Sequence, residues 1–141
     1  MLNKIPKILS SELVHLMMDM GHGDEIVIAD GNYPAEASGL PVVHLDGHGT
    51  PEILDAVLEL MPLDPYVENP VAIMEVVPGD TVIPTIRDDF REVLNKHGVE
   101  KDPELIERFA FYERANKAFC VVASSEVRQY ANIILKKGIV K

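Results

Sequence analysis

The sequence predicts an α/β fold, a single-domain sandwich in which helices cover a mostly parallel sheet. Segments with helical periodicity alternate with short apolar segments along the whole chain, and this alternation is typical of α/β proteins. The apolar segments, such as Ile26-Val27-Ile28-Ala29, have no polar residues at alternate positions, which indicates strands buried on both faces. The 141 residues contain no repeat and no linker, so we expect one domain over residues 1–141.

In the first half of the chain, local signals predict two helices and two strands. Ser10 is a favourable N-cap for a helix that extends to about Met20, and Gly21 is placed to end that helix in the left-handed conformation. Thr50-Pro51-Glu52 indicates a second helix start, with threonine as the cap and proline at the first helical position. Strands are expected over residues 26–29 and 42–45, with a loop over residues 31–41 between them.

The second half continues the alternation and contains one ambiguous segment. Residues 102–118 allow two interpretations, a helix that begins at Asp102-Pro103-Glu104 or a separate helix near residues 109–117. The other expected elements are strands at Val71–Val77, Phe119–Ala123 and Tyr130–Lys137, and a helix from about Pro84 to Lys96.

The charge balance limits the class of partner. The chain has 13 basic and 23 acidic residues, which gives a net charge of −10. A surface of this charge repels nucleic-acid backbones and anionic lipid heads, whereas a neutral ligand such as a sugar meets no such repulsion. We therefore expect a small-molecule partner, with neither nucleic acid nor membrane.

Cysteine content and the N-terminal residues favour a cytoplasmic location. The single cysteine, Cys120, excludes an intrachain disulfide and lies in an apolar segment, where a buried and unreactive thiol is expected. Lys4 and Lys7 are not followed by an apolar run of signal-peptide length, and no segment approaches the length of a membrane span.

His22 is the first candidate for catalysis. It lies between Gly21 and Gly23 in the turn from the first helix to the first strand, and the glycines allow a tight turn that leaves the imidazole accessible. Histidine titrates near neutral pH, so it can both donate and accept a proton there. A solvated loop histidine without a catalytic role is the simpler interpretation when these residues are considered alone.

Asp30, Tyr130 and Asn132 are candidates for binding a ligand rich in hydroxyl groups. Asp30 follows the first strand, and ligands of open α/β sheets bind beyond the carboxyl ends of strands. In an extended strand Tyr130 and Asn132 point to the same side, where a phenol and an amide suit a sugar. Arg108 and Tyr112 can face the same site. The alternatives are a turn aspartate and ordinary surface side chains.

Two other kinds of site have weak support. His44 and His48, with Asp46 between them, allow a metal site, but the surrounding glycines oppose the helix that would align the two imidazoles. The segment Gly21-His22-Gly23 lacks the third glycine of a dinucleotide-binding fingerprint and precedes a strand rather than a helix. We expect neither a metal nor a cofactor.

Three segments resemble the fucose mutarotase and ribose pyranase family. They keep the order and approximate spacing of that family, and the resemblance covers essentially the whole chain. The segments are Met20-Gly21-His22-Gly23-Asp24-Glu25-Ile26 followed by Asp30, Arg108-Phe109-Ala110-Phe111-Tyr112-Glu113-Arg114-Ala115, and Tyr130-Ala131-Asn132-Ile133-Ile134-Leu135-Lys136-Lys137-Gly138.

The resemblance implies an α/β subunit that assembles into a ring-shaped homo-oligomer, in some members a decamer, with the sites near subunit boundaries. It also implies an isomerase that interconverts the α and β anomers of a sugar without metal or organic cofactor. In the family pattern, the position matched by His22 is the proton donor. The sugar-binding positions are matched by Asp30, Arg108, Tyr130, Ala131 and Asn132.

Two positions bear on the identity of the sugar. Arg108 and the segment that follows it resemble the fucose branch, since the ribose branch typically has histidine at this position. Ala131 departs from the fucose branch, which usually has glycine there, and its methyl group is expected to narrow the pocket. The resemblance therefore implies anomer exchange of L-fucose or a related sugar. A non-catalytic sugar-binding or transport-accessory module and a D-ribose pyranase remain the alternatives.

Overall fold

A six-stranded mixed sheet forms the centre of the molecule in the computed structural model, which describes residues 1–141. The strands are β1 (Glu25–Ala29), β2 (Val42–Leu45), β3 (Val71–Met74), β4 (Glu104–Ile106), β5 (Cys120–Ser124) and β6 (Ile133–Lys136). Their order across the sheet is β2-β5-β1-β6-β3-β4. All neighbours pair in parallel except β6, which is antiparallel to both β1 and β3. The predicted mostly parallel sheet is confirmed, with β6 as the one reversed strand.

Four helices connect the strands. They are α1 (Ser11–Asp19), α2 (Thr50–Leu60), α3 (Ile86–Lys96) and α4 (Arg108–Ala115), and a short 3-10 helix (Glu36–Ser38) lies in the loop after β1. Ser10 caps α1 as predicted, since its hydroxyl accepts a hydrogen bond from the N–H of Leu13 at 3.2 Å. In α2 the N-cap residue is Gly49, so Thr50 and Pro51 lie one position further into the helix than predicted.

Helices cover both faces of the sheet because alternate strand residues point to opposite sides. On one face, Ile26 and Ile28 of β1 join a core formed with α1, α2 and α3. On the other face, Val27 and Ala29 pack in a second core with α4, where Phe111 is fully buried. The prediction of a sheet covered on both faces is therefore confirmed.

The ambiguous segment 102–118 follows the second interpretation, since the separate helix expected near residues 109–117 is present as α4 (Arg108–Ala115). Its first part pairs with β3 as the short edge strand β4, so the helix start expected at residue 102 is wrong. The helix α4 then begins at Arg108 because Glu107 caps it, with its carboxylate accepting hydrogen bonds from the N–H groups of Phe109 and Ala110, both at 3.0 Å. A side-chain cap of this kind fixes where a helix starts.

Two predicted strands are shorter in the structure. β3 ends at Met74 rather than Val77, and β6 begins at Ile133 rather than Tyr130. Tyr130 has a left-handed backbone with φ 58°, a conformation that an extended strand excludes. The expectation that Tyr130 and Asn132 share one side of a strand is therefore wrong, because both residues belong to the turn that enters β6.

Cys120 lies in β5 and is fully buried. Burial raises the pKa of its thiol to about 12, so the thiolate that reacts with electrophiles or metals is scarcely formed near neutral pH. The predicted unreactive core thiol agrees with this position. The structure contains no helix with both the length and the apolar character needed to span a membrane.

Candidate active site

A cavity of about 250 Å³ opens at the edge of the sheet where the parallel strands end. Asp30 follows β1, Arg108 follows β4, and Tyr130 and Asn132 precede β6. Because β6 is antiparallel, its first residues meet the carboxyl ends of β1 and β3. The structure thus brings these four predicted residues together at one cavity, at the edge where open α/β sheets bind ligands.

Asp30 and Asn132 are fixed against each other beside this cavity. The N–H of Asp30 donates to Oδ1 of Asn132 at 2.7 Å, and Oδ1 of Asp30 accepts from the N–H of Asn32 at 3.0 Å. Both side chains are largely buried. Burial raises the pKa of Asp30, although hydrogen bonds from backbone N–H groups, including those of Asn32 and Ala131, oppose this effect. The result is a rigid carboxylate and amide that can bind hydroxyl groups.

Tyr130 brings its phenol into the cavity from the turn before β6. Its hydroxyl donates to Oδ2 of Asp80 and accepts a hydrogen bond from the N–H of Val77 at 3.2 Å. Asp80 also lines the cavity, and its other oxygen, Oδ1, accepts from the N–H of Val82 at 3.0 Å. The shared hydrogen bond raises the pKa of Tyr130 and holds the pKa of Asp80 below its ordinary value.

Arg108 and two tyrosines complete the lining. Arg108 is the first residue of α4, and its guanidinium lies 4.5 Å from the ring centre of Phe109 without forming a salt bridge. Tyr33 and Tyr112 pack with ring centres 5.6 Å apart, and burial raises the pKa of Tyr33 to about 12. The cavity therefore combines charged and hydroxyl groups with an aromatic wall, a pairing suited to sugars, which have polar edges and apolar C–H faces.

Ala131 lies between two cavity residues but does not line the cavity. Its side chain is fully buried in the core that contains α1, α2 and α3. The methyl group therefore points into the protein interior and not toward a ligand. The expectation that it narrows the pocket is wrong, because the turn before β6 places residue 131 on the inner side of the chain.

His22 lies at the opposite edge of the sheet from this cavity. It is in the turn before β1, whereas Asp30 follows β1, and the five residues of this strand span roughly 15 Å. The turn depends on Gly23, which has φ +88°. The predicted left-handed conformation at Gly21 is wrong, because the positive φ occurs at Gly23 instead. The side chain of His22 is 44% exposed. Within one chain, His22 is therefore not brought together with Asp30, Arg108, Tyr130 or Asn132.

The carboxylate that contacts His22 within the chain is Asp64 rather than Asp30. Nε2 of His22 lies 3.0 Å from Oδ1 of Asp64, whose side chain is only 5% exposed. Oδ1 also accepts from the N–H of Tyr66 at 3.0 Å, and the two hydrogen bonds hold the pKa of Asp64 below its ordinary range. Since a carboxylate only accepts, Nε2 carries a proton and Nδ1 is the nitrogen left to exchange one.

The segments that carry His22 and Asp64 are held by the last residue of β6 and by the two residues that follow it. The N–H of Asp64 donates to the carbonyl of Lys136 at 3.0 Å, and the N–H of Gly23 donates to the carbonyl of Lys137 at 2.8 Å. The N–H of Gly138 donates to the carbonyl of Pro62 at 2.7 Å. This end of β6 therefore lies between the two segments that carry the histidine and its carboxylate.

His44 and His48, which the sequence allowed as metal ligands, each pair with a different glutamate in the structure. His44 pairs with Glu36 at 2.7 Å, and His48 pairs with Glu52 at 3.0 Å. A different group, Asp55, Glu59 and His97, has potential ligand atoms within 4.8 Å of one another. Asp55 already binds the ammonium of Lys96 with both of its oxygens, each at 2.9 Å.

Sequence reasoning missed Asp64 and Asp80. Asp64 is 42 residues from His22 in sequence, and no local pattern links the two. Asp80 lies in the segment Pro78-Gly79-Asp80, whose proline and glycine are typical of a turn. It follows a strand that ends at the same edge as β1, so the rule that selected Asp30 was applicable to Asp80 as well.

Comparison with known proteins agrees with this architecture. The model of the RbsD / FucU transport protein family matches residues 3–140. The chain belongs to the RbsD/FucU family. It is 46% identical to the human fucose mutarotase over 98% of this chain and 94% of that protein.

Two solved structures share the fold over nearly the whole chain. The fucose mutarotase from Streptococcus pneumoniae, solved in complex with L-fucose, has a TM-score of 0.94 and 47% identity, covering 99% of this chain and 100% of that one. The FucU structure from Bifidobacterium longum has a TM-score of 0.95 and 50% identity with the same coverage. These family members therefore share the mixed sheet and the positions of its strand ends.

Proposed function

We propose that this protein is an isomerase that interconverts the α and β anomers of L-fucose. The observation that carries the proposal is the cavity at the strand ends, which holds Asp30, Arg108, Tyr130 and Asn132 around a small volume. Relatives that are called fucose mutarotases, at 41–47% identity over nearly the full chain, support the same sugar. The solved relative with bound L-fucose supports it further.

The reaction needs an acid and a base, and His22 supplies the acid. Opening the sugar ring breaks the bond between C1 and the ring oxygen, which must gain a proton while the hydroxyl on C1 loses one. Protonated His22 gives its Nδ1 proton to the ring oxygen, and Asp64 stabilises the imidazolium through Nε2. Closure on the other face of C1 reverses the transfers and yields the other anomer, so no electron leaves the sugar.

The positions of these groups lead us to propose that each site is shared between two subunits. His22 and the cavity lie at opposite edges of the sheet, roughly 15 Å apart along β1, which is too far for direct proton transfer. A second copy that places its His22 over the cavity completes the site. A ring-shaped homo-oligomer, as large as a decamer, repeats this contact head to tail until it closes.

The lining of the cavity favours a six-carbon deoxy sugar. Asp30, Arg108 and Asn132 offer polar contacts, while Tyr33 and Tyr112 offer an aromatic surface. This surface accommodates the methyl group of a deoxy sugar, whereas a sugar hydroxyl against it would lack a hydrogen-bond partner.

We place this chemistry in the cytoplasm, in keeping with a single cysteine that is buried and unpaired.

The test is anomer exchange measured by saturation-transfer NMR on sugars at equilibrium. We expect the purified protein to accelerate exchange of L-fucose strongly, and exchange of D-galactose and D-ribose less. L-galactose is the matched control, since it differs from L-fucose only by a hydroxymethyl group in place of the methyl, and exchange of L-galactose should also be slower. Binding of L-fucose without acceleration would instead identify a sugar-binding or transport-accessory module, and faster exchange of D-ribose would identify a pyranase.

A further inference from the structure

We propose that Asp80 is the proton acceptor behind Tyr130, and that the two residues together remove the proton from the C1 hydroxyl during ring opening. The inference rests on the proposed mutarotase function and addresses the base that this reaction requires. Asp80 lies on the loop after β3, and Tyr130 lies on the turn before β6. Both line the same cavity.

The hydrogen bonds of Tyr130 determine which role its hydroxyl can play. A phenol has one proton and two lone pairs. The proton is donated to Asp80, and one lone pair accepts from the N–H of Val77 at 3.2 Å. Only an acceptor site remains for a ligand, so a sugar hydroxyl that meets Tyr130 must be the donor. The hydroxyl that binds here is thus aligned to lose its proton.

Asp80 is held in the orientation that this transfer needs. Its Oδ1 accepts from the N–H of Val82 at 3.0 Å, which leaves Oδ2 directed at the phenol of Tyr130. The carboxylate has no salt bridge with a lysine or arginine, so no cation competes for Oδ2. Arg108, which lines the same cavity, is the cationic group near this pair.

The proton balance of the step is complete. As the bond from C1 to the ring oxygen breaks, the electron pair of that bond goes to the ring oxygen, which takes a proton from His22. The C1 oxygen forms a double bond to C1, and its proton passes to the oxygen of Tyr130 while the proton of Tyr130 passes to Asp80. A weak base suffices, because the hydroxyl becomes strongly acidic as C1 becomes a carbonyl carbon. Closure returns both protons.

The experiment compares Asp80→Asn with the wild type in L-fucose exchange measured over a range of sugar concentrations. Asparagine has nearly the same shape and still accepts the hydrogen bond from Tyr130, but it does not take up the proton. We expect kcat to fall by about 100-fold or more, the range of general acid–base catalysis, with KM changed less than about threefold. In Asp80→Ala, added formate should restore part of kcat, because a free carboxylate can occupy the vacated position at the exposed site.

Three results would overturn the assignment of Asp80. They are a wild-type kcat in Asp80→Asn, a raised KM with unchanged kcat, and an Asp80→Ala variant that does not respond to formate. Asp88→Asn is the matched control, since Asp88 is an exposed carboxylate in the first turn of α3 and should exchange L-fucose at the wild-type rate. Thermal unfolding of each variant checks the fold. If the wild type itself shows no exchange, the proposed function fails, which is distinct from failure at Asp80 alone.

Discussion

Replacing His22 with alanine lowers the rate of L-fucose exchange by about 10²–10⁴-fold, the contribution typical of a positioned acid or base. The residual rate reflects the sugar contacts of the cavity, which this substitution does not touch. Binding of L-fucose should persist, because Asp30 and Asn132 hold each other without His22. The loss therefore appears in kcat more than in KM.

The measurement is saturation-transfer NMR at several L-fucose concentrations, with His15→Ala as the control. His15 is an exposed histidine of α1 that pairs only with Asp19, so its replacement should leave exchange unchanged. Asp64→Asn should lower kcat less than His22→Ala, since the imidazole remains but loses the charge that stabilises its protonated form. An unchanged rate in His22→Ala would remove this histidine from the mechanism.

Gly138→Ala is expected to be the most damaging glycine-to-alanine change in the protein. A Cβ atom at this position would lie 2.4 Å from the carbonyl oxygen of Leu63 and 3.0 Å from Cα of Asp64. Both contacts are with backbone, which does not rotate away as a side chain would. We expect a loss of about 3 kcal/mol in the free energy of unfolding, at the upper end of overpacking costs, and a displaced Asp64.

Urea unfolding of Gly138→Ala measures this cost, and Gly21→Ala provides the control. At Gly21 a Cβ would have its nearest contact 3.5 Å away, so the free energy of unfolding should change by less than about 1 kcal/mol. We also expect Gly138→Ala to exchange L-fucose more slowly where it remains folded, because the end of β6 carries the backbone that holds Asp64 and Gly23. Equal stability of the two variants would contradict this packing argument.

The elements that were predicted well carry their own local signals. The cap at Ser10 and the uninterrupted apolar run of β1 need no distant contact to be recognised. The edge strand β4 was missed because it has only three residues and two of them are exposed, so neither alternation nor a continuous apolar run marks it. Its pairing with β3 is a long-range contact that no local pattern encodes.

Part of the cavity lining could be predicted from the sequence, because some of its residues also carry local signals. Asp30 follows from the rule about strand ends, Tyr130 and Asn132 were candidates because of their side chains and spacing, and the family resemblance supported these residues together with Arg108. The relative positions of the catalytic groups could not be predicted from the sequence, because they depend on contacts between residues far apart along the chain. The pairing of His22 with Asp64 and the distance of His22 from the cavity both arise from the order of strands in the sheet.

The shared site is the central claim, and mixing two inactive variants tests it most directly. His22→Ala retains the cavity, whereas the double variant Arg108→Ala and Tyr130→Phe retains His22. Each alone should be inactive. Co-expressed with different tags and purified as mixed oligomers, they should recover about one quarter of the wild-type exchange rate, the share of contacts that join an intact histidine to an intact cavity in random assembly. Mixed oligomers that remain as inactive as either parent would contradict a site built from two subunits.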